Sequence, residues 1–195
     1  TVVFPSRPPF EADTNRKPGK LAAGAQYKRF ALTADHVSPR AIPGEKGNMH
    51  VVTGLEHNEL GRPNDSAEMH EAMSRKRHEK LKAALRHPDF THYKRFGDEG
   101  PVDVGLISWG STFGECLEAM IKALGEGIRC AAMKVVMLSP FPTHGVTAFM
   151  ADCKEVLVPE LNYQGQFANL LQANVARTVT RLNRVSGEPM KVEDI

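Results

Sequence analysis

The stretch that decides the fold is Val102-Asp103-Val104-Gly105-Leu106-Ile107-Ser108, which runs into the turn Trp109-Gly110-Ser111-Thr112-Phe113-Gly114. Two further apolar segments, residues 130–138 and 155–161, also end in turns, and helix-like sequence joins each segment to the next. Apolar strands that alternate with helices are typical of a buried parallel sheet. We therefore expect an α/β domain over residues 101–195. Ligands or partner surfaces should gather at the carboxyl ends of its strands.

The spacing of apolar residues and helix-ending signals predicts four helices, over residues 66–86, 113–126, 143–152 and 167–184. Ser66 is the expected N-cap of the first helix, whose apolar stripe is thin enough to predict that it lies across a surface. Residues 90–100 are expected to form a charged connector. The prolines among residues 1–26 indicate an extended linker, since they suppress both helix and sheet.

The composition narrows the class of protein. The 195 residues carry a net charge of +2, which argues against nucleic acid as the main partner. No apolar run is long enough to span a membrane, and no signal peptide is evident. The three cysteines form no CxxC pair, so we expect buried thiols in a reducing cytoplasm. Since the chain does not begin with Met, we expect a piece of a longer polypeptide.

Arg40 is the leading candidate for a ligand-binding residue. It lies in Ser38-Pro39-Arg40-Ala41-Ile42-Pro43-Gly44, where two prolines restrict the backbone on either side. A guanidinium held in this way loses little entropy on binding and matches the planar shape of a carboxylate. The alternative is an arginine that ties its own loop to a carbonyl or an acidic side chain.

Other polar clusters each allow two interpretations. Glu56, His57 and Glu59 could suggest a metal site, but a hydrogen-bonded loop at an interface is the expectation. The turn at 110–114 could bind phosphate or could cap the helix that follows. The basic residues of the helix predicted over 66–86 could hold a polyphosphate or an acidic partner, but a solvated face is the expectation. The amides of Asn162, Gln164 and Gln166 could bridge to a neighbouring subunit or a ligand, or could cap a helix.

Several of these segments together resemble a known family. The chain resembles the C-terminal part of the alpha subunit of 2-oxoacid:ferredoxin oxidoreductases, the 2-oxoglutarate type most closely. The resemblance spans about residues 27–195 and differs at Phe30, His36, Val37 and Asn58, where tyrosine, an Asp-Gly pair and aspartate are expected. The segments that carry it occur in the same order: Tyr27-Lys28-Arg29-Phe30, Ser38-Pro39-Arg40-Ala41-Ile42-Pro43-Gly44, Glu56-His57-Asn58-Glu59-Leu60-Gly61, Lys76-Arg77, Trp109-Gly110-Ser111-Thr112 and Glu160-Leu161-Asn162-Tyr163-Gln164-Gly165-Gln166.

The resemblance implies a division of the chain and a set of roles. It implies a transketolase-C-terminal-like αβ domain over 101–195, preceded by a substrate-loop and helical connector segment over 27–100 and the linker over 1–26. Arg40, with Ser38, would bind the substrate carboxylate. Glu56, His57, Asn162 and Gln166 would be loop or interface residues.

The resemblance also implies an activity for the complete enzyme, namely oxidative decarboxylation of a 2-oxoacid with coenzyme A and reduction of ferredoxin. Thiamine diphosphate, Mg²⁺ and an iron–sulfur cluster would be bound mostly outside this chain, which lacks the GDG and asparagine motif and the cysteine set that they require. The implied partners are a beta subunit that bears thiamine diphosphate and the cluster, the pyrimidine-binding remainder of the alpha subunit, and ferredoxin, in a dimer of heteromers. This chain alone would be inactive. The alternative is a non-catalytic assembly module of such an enzyme.

Overall fold

A computed structural model describes residues 25–41, 44–88 and 90–195. The chain divides into two compact units, and the boundary in the sequence lies between Ala83 and Ala84. The linker predicted over residues 1–26 lies almost entirely outside the described residues, as do Ile42 and Pro43. The predicted division at residues 26 and 100 stays a prediction.

The described residues of the first unit form irregular loops and all but the last residue of helix α1, Ala67–Ala84. The predicted N-cap is confirmed, since the Ser66 hydroxyl accepts a hydrogen bond from the Met69 amide at 3.3 Å. Met73 and Lys76 are the buried residues of α1, so the helix is largely exposed, as its thin apolar stripe predicts.

The second unit is an α/β fold with a five-stranded sheet. Its order is β1-β3-β2-β4-β5, with β1 antiparallel to β3 and the other pairs parallel. In chain order the elements are β1 (Tyr93–Gly97), β2 (Val102–Ser108), a 3₁₀ turn (Gly110–Thr112), α2 (Phe113–Gly125), β3 (Cys130–Val135), α3 (Thr143–Ala151), β4 (Cys153–Glu160), α4 (Gln166–Asn174), β5 (Thr180–Asn183) and a final 3₁₀ turn (Val192–Asp194). The expected fold class, a mostly parallel α/β sheet, is confirmed.

Two apolar clusters cover the two faces of the sheet. Neighbouring residues of β2 point to opposite faces, so Ile107 joins one cluster and Leu106 the other. The larger cluster packs α3 and α4 on the sheet through residues such as Phe149 and Leu171. The smaller one packs α2 on the opposite face through Met120 and its neighbours. The central strand β2 is therefore buried on both sides, which explains its continuous apolar run.

The prediction of one long helix over 167–184 is wrong after Asn174. Helix α4 ends at Asn174, and Val175 is already extended, with φ −131° and ψ 123°. Residues 180–183 form β5, which pairs with β4 in parallel register. The apolar residues after Asn174 fit a helical spacing, but hydrogen bonding to the open edge of β4 determines the structure instead.

The charged connector predicted over 90–100 is also wrong in its central part. Tyr93–Gly97 forms β1 at the edge of the sheet, paired with β3 from Tyr93–Val135 to Gly97–Ala131. Charged residues are common in edge strands because they oppose pairing with other chains. The charges of Lys94 and Arg95 are therefore the reason why this strand was predicted as a connector.

Candidate functional site

The first unit contains a cleft of about 380 Å³ between the loop that carries Arg40, the loop around His57, and helix α1. Among the described residues, the polar side chains of the lining are mostly basic and include no carboxylate; the lining comprises Arg29, Phe30, His36, Val37, Ser38, Arg40, His57, Met73, Lys76, Arg77 and Lys80. The electrostatic potential of such a lining favours an anionic ligand.

The backbone around Arg40 is held from both sides by one hydroxyl. The buried Tyr27 donates its phenolic hydrogen to the Pro39 carbonyl at 2.7 Å and accepts a hydrogen bond from the Ala41 amide at 3.0 Å. The ring of Tyr27 in turn lies 5.3 Å from that of His50, edge to face. Arg40 thus projects from a braced segment, although Pro43, the second proline expected to restrict it, lies outside the described residues.

The guanidinium of Arg40 is exposed and lines the cleft. Among residues 25–41, 44–88 and 90–195, none forms a hydrogen bond or an ion pair with it. The alternative of an arginine that ties its own loop therefore gains no support from the described contacts.

Ser38, which precedes Arg40 by two residues, is buried. It forms a hydrogen bond with Lys76 of α1, which is also buried. The Lys76 ammonium donates one short hydrogen bond to the Ser38 hydroxyl and a second, of 2.7 Å, to the Phe30 carbonyl. The Ser38 hydroxyl then donates to the Ala31 carbonyl at 3.0 Å. These bonds fasten the Arg40 loop to the helix, so Ser38 has a structural task within its own loop.

Lys76 has an unusual environment for a lysine, since its hydrogen-bond acceptors are neutral. Burial is the main reason why the pKa of its ammonium falls from 10.5 to about 8; the nearby cations Lys80, Arg29 and Arg77 contribute to this shift, and Glu59 opposes it. The sequence contains a signal for the burial of this residue. Lys76 follows Met73 by three positions, which places it on the apolar stripe of α1.

Glu56 and His57 belong to a hydrogen-bonded loop; the expectation that this loop lies at an interface stays a prediction. The Glu56 carboxylate accepts two hydrogen bonds from Arg77, of 2.9 and 3.1 Å, and lies 2.8 Å from Nδ1 of His70. The Arg77 hydrogen bonds are the main reason why the pKa of Glu56 falls to about 2. His57 stacks on Phe30 with ring centroids 4.0 Å apart. The described part of the chain contains no group of three side chains suited to a metal ion.

Gly61 closes this loop under a tight steric constraint. Its φ is +81°, and a Cβ atom there would lie 2.0 Å from the carbonyl oxygen of Val51. Only glycine meets both conditions. The close approach holds the loop around His57 against the preceding segment.

At the carboxyl edge of the sheet, Asn162 caps α4, as one of its two interpretations proposed. Its side-chain oxygen accepts from the amides of Gly165 at 2.7 Å and Gln166 at 3.1 Å. The neighbouring Glu160 was not predicted as a capping residue, yet its buried carboxylate accepts hydrogen bonds from the amides of Phe167 at 2.7 Å and Ala168 at 2.9 Å. The Gln166 side chain is exposed beside this cap.

The turn after β2 does not cap α2 through its hydroxyls as one interpretation proposed. The Thr112 hydroxyl donates to the Trp109 carbonyl at 3.3 Å, and no side chain caps the helix. A 3₁₀ turn, Gly110–Thr112, leads into α2 here instead.

The three cysteines are free and buried, as expected. Burial raises the pKa of each thiol to about 11. Iron–sulfur clusters are held by thiolates, which these environments disfavour. The cysteines of this chain therefore do not fit a cluster.

The sequence of this chain is similar to those of known oxidoreductase subunits. Residues 102–195 match the family described as pyruvate:ferredoxin oxidoreductase core domain II. A 2-oxoacid:ferredoxin oxidoreductase alpha subunit of Aeropyrum pernix is 34% identical over 168 residues, which cover 85% of this chain and 26% of that protein. The 2-oxoglutarate oxidoreductase subunit KorA of Mycobacterium tuberculosis is 31% identical over 88% of this chain and 26% of its own length.

A solved structure agrees with these relatives. It is the 2-oxoglutarate:ferredoxin oxidoreductase from Magnetococcus marinus with 2-oxoglutarate, coenzyme A and succinyl-CoA bound, and it is 40% identical with a TM-score of 0.81 over 89% of this chain and 30% of the other. The chain belongs to the family of 2-oxoacid:ferredoxin oxidoreductase alpha subunits. It spans about a quarter of the length of the Aeropyrum pernix and Mycobacterium tuberculosis relatives. In the described part of the chain, no helix is long and apolar enough to cross a membrane.

Proposed function

We propose that this chain is part of a thiamine-diphosphate-dependent 2-oxoacid:ferredoxin oxidoreductase and that Arg40 binds the carboxylate of the substrate. The observation that carries the proposal is the exposed guanidinium of Arg40 in a basic cleft, with its backbone braced on both sides by Tyr27. A planar guanidinium binds a carboxylate through two parallel hydrogen bonds, which also fix its orientation.

The role of Arg40 in the reaction is to place the substrate. Bound thiamine diphosphate supplies the carbon nucleophile and the electron sink for decarboxylation. Arg40 would hold the carboxylate so that the neighbouring keto carbon faces that nucleophile, and correct placement accounts for a large part of the barrier reduction in such reactions. The substrate proposed is 2-oxoglutarate, the acid that the similar Magnetococcus marinus structure contains.

The rest of the machinery belongs to other parts of the enzyme. Thiamine diphosphate, Mg²⁺ and the iron–sulfur cluster would lie in a beta subunit and in the pyrimidine-binding remainder of the alpha subunit. The product would be an acyl-coenzyme A, with electrons passing to ferredoxin. The assembled cytoplasmic enzyme would be a dimer of heteromers, and this chain alone would be inactive.

The experiment is the substitution Arg40→Ala in the complete enzyme, with Arg40→Lys as the conservative variant. Loss of one partner of a desolvated charged pair costs enough that we expect kcat/KM for the 2-oxoacid to fall about 30-fold or more. Arg40→Lys should recover part of the loss, because it retains the charge but not the planar pair of donors. Arg62→Ala, an exposed arginine of the same unit that does not line the cleft, is the control. Wild-type kcat/KM in Arg40→Ala would contradict the proposal.

The second candidate function is a non-catalytic assembly module. The observation that favours it is the exposed apolar surface at the carboxyl edge of the sheet, where Trp109, Leu161 and Tyr163 are 45%, 38% and 86% exposed. Such side chains are common in subunit interfaces. Sedimentation of the complete enzyme with Tyr163→Ser tests this surface. Weakened assembly with unchanged kcat/KM in Arg40→Ala would favour the assembly role.

A further inference from the structure

We propose that Lys76 is the positioning residue of the carboxylate site: it fixes the loop that carries Arg40, and binding of a substrate carboxylate recruits a proton to it. This inference rests on the proposed role of Arg40. Lys76 does not need to touch the substrate, since it acts through Ser38 and Phe30.

The geometry supports the positioning role. The side chain of Lys76 reaches from α1 into the loop and donates to the Phe30 carbonyl at 2.7 Å and to the Ser38 hydroxyl. Phe30 and Ser38 enclose the turn that precedes Arg40, so a single amine holds both ends of it. The Tyr27 hydroxyl holds the backbone on either side of Arg40 itself. Removal of the amine would free the first of these two attachments.

The charges around Lys76 support the coupling of carboxylate binding to proton uptake. A buried lysine is almost always paired with an acid, yet Lys76 is 7% exposed and its hydrogen-bond acceptors are a carbonyl and a hydroxyl. Glu59, the carboxylate of the described residues that favours its charge, is already engaged by Lys28 at 2.9 Å. In the part of the chain that the structure describes, the other charged and titratable groups that face Lys76 or line its cleft are basic: Lys80 and Arg77 on α1, and Arg29, His36, Arg40 and His57 on the loops.

A carboxylate bound in the cleft would change this balance. It would add the negative charge that the surroundings of Lys76 lack and would favour the ammonium over the neutral amine. Burial and the neighbouring cations leave the pKa of Lys76 at about 8 in the free protein. Near pH 8 about half of the molecules would therefore take up a proton when the anion binds. Above that pH, the binding of the carboxylate should weaken.

The pH profile of the complete enzyme tests this coupling. In the wild type, kcat/KM for 2-oxoglutarate should fall as the pH rises through about 8, since kcat/KM reports groups of the free enzyme. Lys76→Met should lower kcat/KM about 10-fold at pH 7 and abolish this fall, since it cannot titrate or donate. Lys76→Arg should restore part of the activity without the fall, because arginine stays charged.

Two neighbouring lysines provide a matched pair of controls. Lys80 lies in the cleft and repels the Lys76 ammonium, so Lys80→Met should move the fall to a higher pH. Lys82 lies two residues further along the same helix, pairs with Glu79 at 2.7 Å and does not line the cleft. Lys82→Met should leave the profile unchanged.

A binding measurement separates proton uptake from turnover. The probe is glutarate, a dicarboxylate without the keto carbon, titrated by calorimetry into the complete enzyme at pH 8 in two buffers of different ionisation enthalpy. We expect an uptake of about half a proton in the wild type and markedly less in Lys76→Met. Equal uptake in both enzymes would overturn the proposal.

The remaining outcomes distinguish this inference from the proposed function. If Arg40→Ala lowers kcat/KM while Lys76→Met matches the wild type at every pH, the inference is wrong and the role of Arg40 stands. If Arg40→Ala has no effect, the proposed function itself is wrong. If Lys76→Met does not assemble, Ser38→Ala replaces it. This variant removes one acceptor, so kcat/KM should fall about 5-fold, and an unchanged value would contradict the positioning role.

Discussion

Tyr27 holds Pro39, which lies twelve residues further along the chain: its hydroxyl donates a hydrogen bond to the Pro39 carbonyl at 2.7 Å. The same hydroxyl accepts a hydrogen bond from the amide of Ala41. Both bonds flank Arg40. The position of Arg40, which we propose to bind the substrate carboxylate, therefore depends on Tyr27, a residue that does not line the cleft.

Tyr27→Phe should weaken substrate binding without removing any cleft residue. The variant keeps the buried ring and loses two hydrogen bonds, each worth about 1 kcal/mol. We expect KM for the 2-oxoacid to rise about 5- to 10-fold and the melting temperature to fall by a few degrees. Steady-state kinetics and calorimetry of the complete enzyme measure both. Tyr163→Phe, at a tyrosine that is 86% exposed in the other unit, should change neither value.

Glu56 should make stability depend on pH in the acid range. The pKa of its carboxyl is lowered to about 2 by Arg77, so the native state releases its proton more readily than the unfolded chain. Its stabilising contribution is therefore present above about pH 4.5 and is lost as the pH falls towards 2. Glu56→Gln should melt below the wild type at pH 7, and the difference should shrink at pH 3. A difference that stays constant between these two pH values would contradict the assignment.

Glu160 should contribute to stability rather than to chemistry. Its buried carboxylate accepts from the amides of Phe167 and Ala168 at the start of α4. Glu160→Ala would leave these amides without an acceptor, at a cost of about 2 kcal/mol. Chemical denaturation should show a lower midpoint. Glu188→Ala, at an exposed position, is the control.

The cysteines should resist modification in the folded protein. Cys116, Cys130 and Cys153 are 0%, 1% and 5% exposed, and burial raises the pKa of each to about 11. Because the thiolate is the reactive form, we expect no alkylation by iodoacetamide at pH 7.5 and complete alkylation in denaturant. Mass spectrometry counts the adducts. Rapid reaction of any one of the three in the native protein would contradict its buried placement.

The sequence predicted the centre of the sheet well and its edges poorly. Strand β2 is buried on both faces, so its apolar run and the turn after it carry a strong local signal. Strands β1 and β5 lie at the edges, where pairing with β3 and β4 determines the structure. Their own residues are charged or fit a helical spacing. The missing information was therefore non-local.

The candidate site shows the same division. Arg40 could be identified from its prolines and from the resemblance, because its signal lies in adjacent residues. The contribution of Lys76 depends on Phe30 and Ser38, which precede it by 46 and 38 residues. The spacing from Met73 could have placed Lys76 on the buried side of α1. No local pattern could have shown which loop receives it.

Strand β1 has a consequence for the design of shorter recombinant fragments. A fragment cut at Val102, where the family match begins, would omit Tyr93–Gly97 and leave β3 with an unpaired row of backbone donors and acceptors. It would also lose Arg95, which binds the Asp152 carboxylate at 2.6 Å and lies over the ring of Phe149. Open strand edges promote self-association. Soluble expression of the αβ unit therefore requires a start point upstream of Tyr93.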